Sequence, residues 1–169
     1  MSKQALLNVN LIAARKGAAE LEFAVKKVHS LDSSKGGPDG YIKAIEKRVE
    51  DLVFDEIEKF HKEDNLLSIH RGHEINNSNV TWILKPIDGT ENFISGIPHW
   101  GISFSWFKNF QHKDSFIFFP EIKEQLLFKN YKSKNFSRII ALSSSNNKYL
   151  KKFKDFNEIR ITGCCVYNL

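Results

Sequence analysis

Residues 80–93 read VTWILKPIDGTENF, and the fold of this 169-residue chain is decided there. Val80 to Leu84 is a short apolar run rich in β-forming residues, which predicts a buried strand. Pro86 has no N–H for a strand ladder and is expected to end it. Residues 88–90 then predict a tight turn into a helix, with Glu91 as an acidic residue in the first turn. A strand, an acidic turn and a helix start together offer backbone N–H groups to an anion and a carboxylate to a metal ion.

Hydrophobic periodicity on both sides of this stretch predicts helices first and mainly strands afterwards. Residues 3–29 and 41–62 have the apolar spacing of amphipathic helices. The predicted strands are residues 65–69, 101–107, 115–119, 125–128, 137–142 and 158–161. A basic helix is expected over residues 148–156.

Composition limits the classes of protein to consider. With 41% hydrophobic and 27% charged residues, the chain is globular rather than disordered, and its length suits one domain with a sizeable core. The formal net charge is +5, but the lysines are scattered, which favours a solvated basic surface over a nucleic-acid patch. No apolar run reaches the roughly 20 residues that span a bilayer. With no signal sequence and only two adjacent cysteines, a cytoplasmic location is expected.

The central stretch resembles the signature of the inositol monophosphatase family, W-[IV]-[IVL]-D-P-[IL]-D-G-T-x-N-F. This chain has WILKPIDGTENF, then the turn Gly96-Ile97-Pro98 and a strand, and its RITGCC at residues 160–165 is similar to the family's R-x-T-G-S-A. The resemblance implies an α/β fold of layered helices and a mixed, largely antiparallel sheet, an α+β sandwich. It covers roughly the N-terminal two-thirds of the family fold. Residues 1–169 are therefore expected to be one shortened domain without the family's C-terminal portion.

The family hydrolyses phosphate monoesters with Mg²⁺, and the resemblance carries part of that machinery onto this chain. Asp88 and the backbone carbonyl of Ile87 match metal ligands. Thr90 and Glu46 match the residues that activate and orient the attacking water, so these two are the catalytic candidates. The resemblance also implies a homodimer.

Departures from the family pattern at three positions reverse the charge of this site. His70 and Arg71 stand where the resemblance places two glutamates, and Lys85 stands where it places an aspartate. Two unit charges about 4 Å apart interact by several kcal/mol at a protein-like dielectric. An ammonium at Lys85 would therefore repel Mg²⁺, and we expect this cofactor to bind weakly or not at all.

Loss of metal leaves an anion site as the favoured interpretation. The predicted phosphate-binding residues are Gly89, Thr90, Lys85, His70 and Arg71. They would bind a phosphate monoester or inorganic phosphate without cleaving it, so the chain would be a pseudoenzyme. The competing structural interpretation is that Lys85 forms a salt bridge with Asp88 or Glu46.

Two other functions stay open. The first is a Mg²⁺-dependent phosphatase that acts on inositol or sugar phosphates. The second is an RNA- or transcription-associated interaction protein, which only the basic net charge suggests.

Overall fold

The computed structural model describes residues 3–28, 30, 37–127, 139–142 and 158–165 of the chain. Two long helices come first, α1 (Lys3–Val28) and α2 (Gly37–Glu58), and a short helix α3 (Thr90–Ser95) follows the third strand. The strands are β1 (Asn65–Leu67), β2 (His73–Glu74), β3 (Val80–Asp88), β4 (Gly101–Lys108), β5 (Gln111–Phe119), β6 (Glu124–Leu127), β7 (Ile139–Leu142) and β8 (Glu158–Ile161).

The main sheet has six strands in the order β2-β1-β3-β4-β5-β6. Within it only β1 and β3 run parallel, and every other neighbouring pair is antiparallel. Strands β7 and β8 form a separate parallel pair. The mixed, largely antiparallel sheet predicted from the family resemblance is confirmed.

Helices α1 and α2 and the sheet share one hydrophobic core. Alternation along β3 buries Trp82 and Leu84 in that core, and the Trp82 ring stacks on Phe104 of β4 with 5.4 Å between ring centroids. The indole Nε1–H of Trp82 donates to Asp64 Oδ2 at 2.8 Å, so the buried polar atom is satisfied. Strand β3 is therefore the central element, as its apolar pattern predicts.

Pro86 does not end β3, which continues to Asp88. The β3–β4 register shifts between Lys85 and Asp88, and this irregularity accommodates a residue that cannot donate to the ladder. The prediction of a strand break was wrong for that reason. As a consequence, Lys85 and Asp88 both belong to β3 and pair with β4.

The helix bounds also differ from those predicted. Helix α2 begins at Gly37 and ends at Glu58, before Phe60, whose side chain is exposed. The basic helix expected over residues 148–156 lies outside the described residues. None of the helices in the described part of the chain is long and apolar enough to cross a membrane.

Replacement of Gly17 by alanine is expected to lower the free energy of unfolding by about 1–2 kcal/mol. A Cβ at Gly17 of α1 would lie 2.9 Å from Ile102 Cδ1 and 3.0 Å from Val53 Cγ2, so it would push α1 away from α2 and β4. Gly40 of α2 is the matched control, because a Cβ added there would meet nothing within 4 Å. In that control, Ala should raise stability by about 0.5–1 kcal/mol through helix propensity. Urea unfolding of the two variants measures both effects, and equal shifts would contradict the close approach.

Candidate functional site

The predicted site residues gather at one edge of the main sheet. Strands β1 and β3 are parallel, with Leu67 opposite Ile83, so their carboxyl ends lie at the same edge. His70 and Arg71 follow β1, and residues 85–88 end β3. Ligands commonly bind beyond the carboxyl ends of such strands.

His70 and Glu46 form a hydrogen-bonded pair at this edge. His70 Nε2 lies 2.8 Å from Glu46 Oε2, and their side chains are 21% and 10% exposed. The sequence suggested the two residues separately, as a phosphate ligand and a water-orienting carboxylate. In the structure α2 and the turn after β1 join them.

Glu50, one helical turn after Glu46, was missed by the sequence analysis. Its fully buried carboxylate accepts hydrogen bonds from Ser68 Oγ at 2.7 Å, from the His70 N–H at 3.0 Å and from the Arg71 N–H at 2.7 Å. The available signal was its spacing, because residues i and i+4 share one helix face. Glu46 and Glu50 together bind the turn of residues 68–71.

Arg71 turns its side chain toward α2. The guanidinium donates to Glu74 at 2.8 Å and to Glu58 at 3.2 Å, and Asp55 lies at 3.8 Å. Burial by itself lowers the pKa of Arg71, but the Glu74 hydrogen bond and the charge of Glu58 outweigh it and raise that pKa above its ordinary value. The guanidinium of Arg71 therefore forms ion pairs with carboxylates of α2 and β2.

Lys85 occupies a half-buried position near the end of β3, opposite Ser103 of β4. None of the ion pairs found within the described ranges involves Lys85. Glu46, one of the two partners that the salt-bridge interpretation names, is bonded to His70 instead.

Asp88 contacts the segment of residues 162–165. The Cys164 thiol lies 3.3 Å from Asp88 Oδ2 and 3.4 Å from the Asp88 carbonyl oxygen, and Cys164 is buried. Sequence alone indicated that this segment resembles a family motif but not that its thiol meets Asp88. The contact joins residues 76 positions apart.

The start of α3 is fixed by the same segment. Gly89 is the N-cap, with φ of 82° and no side-chain cap, so the expected capping side chain is absent from this helix start. Asn92 Nδ2 donates to the His99 carbonyl at 2.6 Å and to the Thr162 carbonyl at 2.7 Å. The predicted turn and helix start at Gly89 and Thr90 are therefore held in place by a distant strand end.

The described residues offer few ligands for a metal ion. Glu46 is bonded to His70, and the Asp88 carboxylate accepts the Cys164 thiol. Within those residues, no three His, Cys, Asp or Glu side chains are placed to hold one ion.

The chain is similar in sequence to inositol monophosphatases. The model of the "Inositol monophosphatase family" matches residues 2–164. The inositol-1-monophosphatase of Mesorhizobium japonicum is 34% identical over 125 residues, which are 73% of this chain and 47% of that protein. The Nus factor SuhB of Escherichia coli (strain K12) is 27% identical over 99 residues, 58% of this chain and 37% of that protein. The chain thus spans half or less of the length of these relatives.

Solved structures show the same fold. The native extragenic suppressor protein suhB from Bartonella henselae matches with a TM-score of 0.77 and 22% identity, over 95% of this chain and 71% of that one. The IMPase of Thermotoga maritima matches with a TM-score of 0.74 and 22% identity, over 97% of this chain and 70% of that one. With the family model covering residues 2–164 of 169, this chain belongs to the inositol monophosphatase family.

Proposed function

We propose that this chain binds a phosphate monoester or inorganic phosphate at the carboxyl ends of β1 and β3 and does not hydrolyse it. Lys85 is the observation that carries the proposal. This residue is half-buried in the family's signature stretch, and it forms no ion pair with the residues that the structure describes. A partly desolvated cation is stabilised when an anion binds beside it.

Two further groups can contribute to the anion site. The first intrahelical bond of α3 runs from the Phe93 N–H to the Gly89 carbonyl, so the N–H groups of residues 90–92 precede it and point toward the helix start. His70 stands after β1 with Nε2 on Glu46. In this proposal Gly89, Thr90, Lys85 and His70 face the phosphate, whereas Arg71 anchors the turn to α2.

The residues at this edge do not suit Mg²⁺. That ion needs near-octahedral oxygen ligands, usually one or two carboxylates with water and phosphate oxygens. Asp88 accepts a thiol, Glu46 is bonded to an imidazole, and Lys85 adds positive charge three residues before Asp88. Hydrolysis of inositol or sugar phosphates with Thr90 and Glu46 as catalytic residues, and with Mg²⁺ on Asp88 and the Ile87 carbonyl, is the alternative that the family supports.

Replacement of Asp88 by asparagine distinguishes phosphate binding without hydrolysis from Mg²⁺-dependent hydrolysis, because it should strengthen the first and abolish the second. In a metal-free anion site, removal of the carboxylate should raise phosphate affinity about 3- to 10-fold, because a nearby negative charge disappears. In a Mg²⁺-dependent phosphatase, the same change should abolish phosphate release. Calorimetric titration of phosphate in EDTA measures the first effect, and phosphate release from inositol 1-phosphate with Mg²⁺ measures the second.

Asp114 provides the matched control for net charge. It is a buried aspartate of β5 whose Oδ1 accepts the Ser115 N–H. Asp114→Asn should leave phosphate affinity within about twofold, because Asp114 lies opposite Trp106, toward the end of β4 that pairs with the first residues of β3. Phosphate release by the wild type that depends on Mg²⁺ and is lost in Asp88→Asn would overturn the proposal.

A second candidate function follows from the names of several relatives. Nus factors SuhB from Haemophilus influenzae and Escherichia coli match 58% of this chain, and the formal net charge is +5. An RNA- or transcription-associated role would give RNA retention that weakens steeply between about 50 and 200 mM salt. A homodimer and a cytoplasmic location stay predictions from the resemblance and the sequence.

A further inference from the structure

Glu50 is a buried carboxylate that the proposed phosphate site does not use directly. It lies on α2 and is 0% exposed. Its Oε2 accepts three hydrogen bonds, from the Ser68 hydroxyl at 2.7 Å, the Arg71 N–H at 2.7 Å and the His70 N–H at 3.0 Å. A buried carboxylate normally requires partners of this kind, because an unpaired buried charge is very costly.

No cation pairs with Glu50 within the described part of the chain. The turn of residues 68–71 therefore satisfies it with neutral donors alone. Hydrogen bonds to an ionised acceptor are about twice as strong as neutral ones. Three such bonds converge on one oxygen, in addition to the backbone bond from the Ser68 N–H to the Gly72 carbonyl.

The same turn carries the imidazole that meets Glu46. Glu50 holds the backbone of His70, and Glu46, four residues earlier on α2, holds its ring. The two carboxylates thus contact both the backbone and the side chain of His70. If the backbone contact is lost, the bond to Glu46 alone restrains the position of the ring.

We propose that Glu50 is a positioning residue that sets where the His70 imidazole stands at the carboxyl ends of β1 and β3. Its effect on phosphate affinity rests on the proposed function. Its effect on His70 does not, because the hydrogen bonds of Glu50 run directly to the turn that carries His70.

NMR of the full chain tests this assignment through the amide protons of His70 and Arg71 and the ring signals of His70. In Glu50→Ala, the two amide protons should move upfield, the His70 ring signals should approach those of an exposed histidine, and phosphate affinity should fall at least about fivefold. Glu50→Gln retains an acceptor oxygen but loses the charge that strengthens the bonds, so its amide shifts should be smaller and in the same direction.

Glu56→Gln is the matched control on the same helix. Glu56 is also buried, but its carboxylate accepts hydrogen bonds from Lys16 and Lys59 rather than from the turn. It should leave the His70 signals and phosphate affinity unchanged. The indole N–H of Trp82, bonded to Asp64, reports whether each variant keeps the native core.

Each result of these measurements bears on either the positioning role of Glu50 or the proposed function. A native-like Glu50→Ala with unchanged His70 and Arg71 signals would overturn the positioning role. If that variant does not fold, Glu50→Gln decides, and unchanged amide shifts there would overturn it too. If the wild type binds no phosphate, the proposed function is wrong, and the His70 signals still test the positioning role of Glu50.

Discussion

Phosphate affinity is expected to fall about 10- to 100-fold when Lys85 is replaced by glutamate. The substitution turns attraction into repulsion at the one ammonium that the signature stretch provides. At about 4 Å and an effective dielectric of about 20, a unit charge pair is worth about 4 kcal/mol. Because the side chain is only half-buried, solvent screening reduces this to about 1.4–2.8 kcal/mol, and each 1.4 kcal/mol is about tenfold in affinity. Titration of inorganic phosphate by calorimetry measures the change.

Lys108→Glu is the control for this charge reversal. Lys108 is exposed at the end of β4 and lies opposite Val80, the first residue of β3, whereas Lys85 lies near the other end of that strand. Phosphate affinity should change by less than about twofold in this control, because surface charges beyond the Debye length are screened. Lys85→Arg, which keeps the charge, should retain binding. Equal affinities of the wild type and Lys85→Glu would remove the anion site altogether.

Replacement of Gly89 by alanine is expected to lower the free energy of unfolding by about 3–4 kcal/mol. Its φ of 82° costs a residue with a side chain about 1–2 kcal/mol. In addition, a Cβ would lie 2.9 Å from both Cys164 Cβ and the His99 carbonyl oxygen. Relief of that overlap would move Cys164 away from Asp88, so the variant should disturb the site as well as the fold. Urea unfolding gives the loss of stability.

Gly72→Ala isolates the backbone part of this effect. Gly72 has a similar φ of 77°, but nothing lies within 4 Å of the position that a Cβ would take. This control should lose only about 1–2 kcal/mol. If the two variants lost equal stability, the packing of residues 162–164 on the start of α3 would be contradicted.

The central elements could be predicted because their signals are local. Alternation of apolar residues identifies β3 and places Trp82 in the core, and the helix starting at Thr90 follows from the turn before it. Pro86 was misjudged for a physical reason. Its cost to the ladder is absorbed by a register shift against β4, which no property of β3 alone reveals.

The residues of the candidate site could be predicted from the sequence, but the partners that they contact could not. Family resemblance pointed to His70, Lys85 and Asp88, yet the partner of each depends on how distant elements meet. The Glu46–His70 pair requires α2 to lie beside the turn after β1, and the Asp88–Cys164 contact requires the end of β8. Such contacts arise from tertiary packing, for which the local sequence pattern of a single chain carries no signal.

Arg71 illustrates the same limit of local signals. Its place beside His70 suggested a phosphate ligand, since a guanidinium suits phosphate oxygens. Its actual partners, Glu58 of α2 and Glu74 of β2, lie 13 residues before it and three residues after it. The packing of α2 on the sheet brings Glu58 to the guanidinium, and the local sequence around Arg71 gives no sign of that contact.

The bond between Asn92 and the Thr162 carbonyl joins residues 70 positions apart, and it sets an order of events during synthesis. A ribosome adds about 5–20 residues per second, so Thr162 emerges roughly 4–14 s after Asn92. The strands between residues 65 and 127 can pair during that interval. A nascent chain can therefore form the main sheet before residues 162–164 are available to contact the start of α3.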